Sequence, residues 1–255
     1  MKNHLILSGV MAAAVLCGTQ AKAQISYSNG DMLAAFGKAG SSVDVIVDLG
    51  SISQFQQNSA SLNFVGVSSA LTATFGSTSG LYWAVFGVND TSGNSGAYDS
   101  TVTQTDANTI WGTIAGPRSA TAPFVGGNSA SQNNTLGDIQ TIAYLAANAN
   151  FSTNIAPNIT QVSVSTELDG FTPQMSSGGN FNGDWAYNML NNGAGSSSLY
   201  QSNPGSPVTD HQAYLGTVTL ASDGTLTYNP VPEPSTVAMV TGGLASLLLF
   251  RRRKN

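Results

Sequence analysis

Positive charge is scarce in this chain, and its distribution is more telling than its amount. Of the 8 lysines and arginines, Lys2 and Lys22 lie near the N-terminus, while Arg251, Arg252, Arg253 and Lys254 close the C-terminus. Between residues 24 and 230 only Lys38 and Arg118 remain, against every acid of the 13 except Glu233. Two cations against twelve carboxylates leave that stretch at a formal charge of about −10. Nucleic-acid binding needs a basic footprint, so the stretch is not built for it. Cysteine is nearly absent too. The single one, Cys17, lies within the first 23 residues, so a chain that has lost them has no disulfide, thiol nucleophile or zinc–thiolate site. About 200 residues can still fold around a packed core without such staples.

What is present is concentrated at the two ends. Lys2 and His4 form a short positive region, residues 5–16 are apolar, and Ala21-Lys22-Ala23 is a small-x-small site before Gln24. These are the three parts of a signal peptide in order, with cleavage by signal peptidase expected between Ala23 and Gln24. At the other end Pro232-Glu233-Pro234 precedes an apolar run at residues 235–250, and the basic cluster follows. Sixteen residues are short for a membrane helix, which needs roughly 17 to 25. The long basic side chains can reach back to the headgroups and relieve the mismatch. Positive flanks stay cytoplasmic, so Arg251, Arg252, Arg253 and Lys254 act as a stop and the proline motif faces outward. Prolines on both sides of Glu233 favour an extended backbone, the form a processing enzyme can thread.

Motif, span and basic tail together resemble the C-terminal sorting signal of PEP-CTERM proteins, covering about a tenth of the chain. The resemblance implies processing near Pro232-Glu233-Pro234 by an exosortase, a membrane-embedded enzyme of Gram-negative bacteria. It also implies association with exopolysaccharide production. Similar tails occur on bacterial proteins of many kinds, so the tail assigns no activity. The body resembles β-rich ectodomains of the same class through residues 29–36, residues 44–50 and the closing segment Tyr214-Leu215-Gly216 to Leu226-Thr227-Tyr228. That resemblance brings no catalytic residues.

Serine, threonine, asparagine and glycine dominate the body. Val43, Val45, Val47 and Leu49 alternate with Asp44, Ile46 and Asp48, the pattern of a half-buried strand. Residues 81–88 form a bulkier run, read as a central strand covered on both faces. Residues 109–114 and 161–168 predict further strands. Residues 214–220 and 225–228 flank Asp223-Gly224, whose positive φ values suit a tight hairpin. Residues 138–148 predict a helix with Ile139, Ile142 and Ala146 on one face, and residues 69–75 a second short one. Residues 89–106 and 175–210 read as loops. The expected fold is mainly β, a β-sandwich-like exported domain with one or two short helices. A signal peptide at 1–23 precedes the domain at 24–230. The sorting signal follows at 231–255, with its transmembrane helix at about 235–250.

Candidates for chemistry are few. His211 beside Asp210 lacks a nucleophile elbow to serve. Glu167 and Asp169 lie two apart, as a glycosidase pair could at a strand end. Asn89, Asp90, Asn94 and Asp99 offer oxygen ligands for calcium, but their spacing fits no standard calcium loop. Trp185, with Asp184 and Tyr187, is the tryptophan placed to stack on a sugar, whereas Trp83 and Trp111 fall in strands and are expected in the core. These residues point to no enzyme and no resident cofactor. The expected role is structural or adhesive, in the envelope or an extracellular polysaccharide matrix, after initial anchoring in the inner membrane. A glycan- or calcium-binding module and a secreted hydrolase are the competing readings.

Overall fold

A computed structural model describes residues 25–57, 60–89, 109–115, 129–148, 150–163, 171, 190–202 and 212–231. The chain runs β1 (Asp31–Lys38), β2 (Val43–Ser51), α1 (Ser53–Gln57), β3 (Leu62–Phe64), α2 (Val67–Phe75), β4 (Leu81–Asn89) and β5 (Thr109–Ala115). It continues through α3 (Ser129–Ala147), β6 (Ser152–Ala156), β7 (Ile159–Ser163), β8 (Asn191–Asn192), β9 (Gly195–Ser202), β10 (Gln212–Leu220) and β11 (Leu226–Pro230).

All eleven strands belong to one antiparallel sheet, ordered β3-β11-β10-β9-β5-β4-β1-β2-β7-β6, with β8 beside β4. Open sheets of this size curl, because twist accumulates from strand to strand. Eight strand spacings separate β3 from β7, ~38 Å if the sheet were flat. Yet a Cβ on Gly66, two residues beyond β3, would lie 3.6 Å from Ile159 Cδ1 on β7. Helix α2 spans this gap, and Gln161 of β7 donates to the Thr74 hydroxyl at 2.7 Å.

The strand pleat divides the core in two. Met32, Ala34 and Phe36 of β1 point into the curl with Val45, Val47, Trp83, Val85, Leu199, Val218, Leu226 and Tyr228. Leu33 and Ala35 point outward with Ile46, Ala84, Phe86 and Val162, where Ile139, Ile142, Leu145 and Ala146 of α3 cover them. The alternation read along β2 is therefore correct, but the strand is not half-buried. Its outward face lies under the α3 layer, and Asp44 and Ile46 are buried there.

Other differences have similar causes. The expected sandwich of two sheets is one continuous curled sheet, because β4 pairs along one edge with β1 and along the other with β5, leaving no break. Among the described residues there are three helices, and α3 extends over 19 residues. The segment 175–210, read as a loop, contains β8 and β9. Gly195-Ser196-Ser197-Ser198 has little strand propensity of its own, but β9 pairs with β5 on one side and β10 on the other. Tertiary pairing overrides the composition. The predicted strands at 81–88 and 109–114 and the closing hairpin are present, as is the helix from Asp138 onward.

Candidate functional site

The part of the described structure that meets the sorting signal is the hairpin β10–β11. Its turn is anchored from both sides. Gly224 adopts φ +86°, and a Cβ there would come within 3.0 Å of Ser68 Cα. The Asp223 carboxylate accepts the Thr225 backbone N–H at 2.9 Å, which lowers its pKa. Thr78 Oγ1 donates to the Ser222 carbonyl at 2.6 Å, and the Ser68 hydroxyl donates to the Asp223 carbonyl.

From this turn β11 runs between β10 and β3, bonded on both edges. Leu226 and Tyr228 point into the curl, while Thr227 and Asn229 point away. Tyr228 is fully buried. Its ring lies 4.9 Å from that of Phe55. Its hydroxyl lies 2.9 Å from the Phe55 carbonyl and 2.7 Å from the Leu215 carbonyl, so its single proton serves two acceptors. Burial, with Tyr214 as a second cause, pushes the phenol well above its ordinary value and keeps it neutral. The ring needs Gly216 opposite it on β10: a Cβ there would fall 2.6 Å from Tyr228 Cε2 and 2.4 Å from the Asn229 carbonyl. The last ladder pair joins Gly216 to Pro230, and the Val231 N–H then donates to the Leu215 carbonyl at 3.1 Å. Pro232 follows directly. No linker separates the clamped strand from the proline motif.

A family model described as the PEP-CTERM protein-sorting motif matches residues 230–254. The chain carries that sorting motif. It marks the protein for export and for recognition by an exosortase. The match begins at Pro230, the last residue of β11, so the sorting motif overlaps the folded body. No curated protein and no solved structure matches the chain.

The remaining sequence-predicted residues divide sharply. Trp83 and Trp111 are core residues as expected. Trp83 Nε1 donates to the Gly193 carbonyl at 2.8 Å and Trp111 Nε1 to the Gln201 side chain at 3.2 Å. Asn89 ends β4. Ala21, Ala23 and Gln24, Pro232, Glu233 and Pro234, and Arg251, Arg252, Arg253 and Lys254 lie outside the described residues. So do Asp90, Asn94, Asp99, Glu167, Asp169, Asp184, Trp185, Tyr187, Asp210 and His211. Among the described residues no group of three or more His, Cys, Asp or Glu is arranged to hold a metal. Among the same residues no helix is long and apolar enough to cross a membrane.

Sequence reasoning missed a buried seam beside β4. Strand β5 leaves β4 after Gly112, and β8 takes up the edge again at Trp83. In the gap the buried Thr113 hydroxyl accepts the Val85 N–H at 2.9 Å and reaches the Val85 carbonyl at 3.3 Å, replacing a strand neighbour. Nearby Ser197 donates to the Asn191 side chain, and both residues are buried. Ser197 and Asn191 lie in polar-looking segments and Thr113 in a predicted strand, and none of the three carries a sequence signal of burial.

Proposed function

We propose that the protein is an exosortase-processed surface or matrix component whose β-rich body acts structurally or adhesively and does no catalysis. The observation that carries this reading is the sorting motif joined without a linker to the last strand of a curled, well-packed body. The cysteine-free, strongly acidic and serine-rich composition of the body supports a solvated extracellular role. Aromatic and aliphatic side chains fill the inside of the curl, from Trp83 and Phe36 to Phe55 and Tyr228, which suits a module valued for its shape and surface. Signal peptidase and an exosortase are the processing partners, and extracellular polysaccharide is the destination.

The test uses a host that carries an exosortase, with tail-specific immunoblotting of membrane fractions. Wild-type protein loses its tail epitope. Replacing Pro232, Glu233 and Pro234 with alanine leaves insertion intact and causes the larger form to accumulate in the inner membrane. The processed body then co-fractionates with the extracellular polysaccharide. Equal persistence of the tail on both proteins overturns the processing step. A body that leaves with the soluble medium overturns the matrix role.

A further inference from the structure

The end of β11 and the motif after it carry a proline at every second position. Pro230, Pro232 and Pro234 alternate with Asn229, Val231 and Glu233. In an antiparallel ladder the main-chain groups of successive residues turn to opposite edges of the strand. The Val231 N–H donates to the Leu215 carbonyl of β10 at 3.1 Å, and this bond fixes the parity. Odd-numbered residues of β11 turn their N–H groups to β10, and even-numbered positions turn to the side of β3. Pro230 already obeys this rule. It pairs with Gly216 of β10, while the pairing of β11 with β3 ends at Tyr228 and Leu62, so its missing N–H breaks no ladder bond. Proline is tolerated in a sheet at such edge positions.

Strand β10 extends past the last pair of β11. Its pairing with β11 stops at Gly216, whereas Gln212, Ala213 and Tyr214 still pair with β9 on the other edge. Gln212–Leu215 is thus a stretch of four residues, and Val231–Pro234 is another of four residues that follows β11 directly. At ~3.3 Å per residue each spans about 13 Å. The motif is therefore as long as the edge beside which it emerges, and the apolar run starts where that edge ends.

The pleat agrees with the ladder. Leu226 and Tyr228 point into the curl. Continued at the same period, the pleat sets Pro232 and Pro234 on that inner face, where Leu215 is half-buried against the core. It sets Glu233 on the outer face with Thr227 and Asn229. The carboxylate stays in water, and its N–H points to β10, level with Gln212 and Ala213. The prolines turn their donor-free side outward, which blocks the addition of a further strand.

We propose that the edge of β10 at Gln212–Leu215 is the seat of the sorting motif: Val231-Pro232-Glu233-Pro234 extends β11 along it, with the Glu233 N–H bonded to β10. The occupant is this segment rather than a second copy of the chain, because Val231 already holds the first bond and Pro232 follows without a linker. The consequence for processing rests on the exosortase reading. The enzyme and β10 compete for one extended segment, so the motif is taken from a chain whose β11 end has been peeled away.

The test uses the two glutamates of residues 24–255, Glu167 and Glu233. Heavy-nitrogen labelling at glutamate alone gives two amide signals, and Glu167→Gln tells them apart. Hydrogen exchange is measured on that mature chain in detergent micelles. The Glu233 amide is expected to exchange about tenfold or more slower than in a short peptide of the same sequence. A Gly-Ser spacer of about eight residues between Val231 and Pro232 keeps the motif beside the apolar run but frees it from the register of β11. Protection should then fall to the peptide rate, while circular dichroism and melting show that the body is folded. Exchange at the peptide rate in the unspaced chain overturns the seat. So does equal protection in the spaced chain, which assigns the shielding to detergent. In a host that carries an exosortase, the spaced chain should lose its tail several-fold faster than wild type. Equal rates overturn the competition. Loss of the tail from neither chain overturns the processing reading instead, and the exchange result alone then decides the seat.

Discussion

Inside the curl the polar atoms of the large aromatic side chains are paired. Trp83, Trp111 and Tyr228 each bury a ring and place its N–H or O–H on a named acceptor. Beneath α3 polar groups are buried among the apolar side chains. Asp44, Asp138, Gln140 and Thr160 are all buried on this side. The Thr160 hydroxyl and the Asn154 amide are buried there without a hydrogen-bond partner. Buried donors and acceptors strengthen a core only when satisfied, and each one left over costs about 1–3 kcal/mol. The curl interior therefore specifies the fold, while the α3 layer closes it with slack.

That contrast can be broken by mutation. The largest effect is expected at Tyr228: Tyr228→Ala removes the ring that fills the space over Gly216 and should cost about 3–5 kcal/mol in denaturant unfolding of the body. A cost below 1 kcal/mol would show that the exit of β11 is not clamped, and the contrast would fail. The α3 layer predicts the opposite sign. Thr160→Val keeps the branched strand side chain and removes a buried unpaired hydroxyl, so stability should rise by about 1 kcal/mol. A loss there would mean that the hydroxyl has a partner and that both cores are equally well satisfied.

The smallest effect concerns pH. Burial raises the pKa of Asp48, and nearby Asp31 adds to the rise, while the Gly50 N–H on its carboxylate opposes both at 2.8 Å. The folded state thus holds the Asp48 proton more tightly than the unfolded state. This contribution to stability is complete below the ordinary value of 3.8 and is lost as pH rises through the folded value. Asp48→Asn keeps an acceptor for Gly50 and removes the charge. Its melting temperature should exceed wild type at neutral pH, with the gain vanishing below pH 3.8. A gain that does not depend on pH would assign the effect to packing.

The sequence was legible in proportion to how locally each feature is encoded. Export and sorting machinery reads linear chain, so proline motif, apolar run and basic cluster sit side by side and need no fold to be seen. Residues 81–88 and the Asp223-Gly224 hairpin were readable because a long apolar run and a turn dipeptide are local signals. Strand β9 was not, because its serines are held in register by β5 and β10, far away in sequence. The run Met32-Leu33-Ala34-Ala35-Phe36 favours helix by propensity, and its position between β2 and β4 makes it the sheet's centre instead. One curled sheet in place of two followed from strand order, which composition does not encode. The clamp at Tyr228 depends on Gly216, and a glycine in a strand marks a close approach without naming the partner.

The pairing of β3 with β11 also sets a clock. Ser61 and Asn229 meet although 168 positions separate them, and the turn after β3 leans on β7 across the mouth of the curl. A chain threaded outward from its N-terminus presents β3 early and must wait for almost everything else before its neighbour arrives. Such late, long-range closure is slow to nucleate. When residue 230 emerges the sorting motif follows directly, so completion of the sheet and presentation of the motif fall in the same short interval. Up to that moment the edge of β10 is bare and the curl interior is open to solvent. The exported chain is thus most exposed to proteases and aggregation just before the sheet is complete.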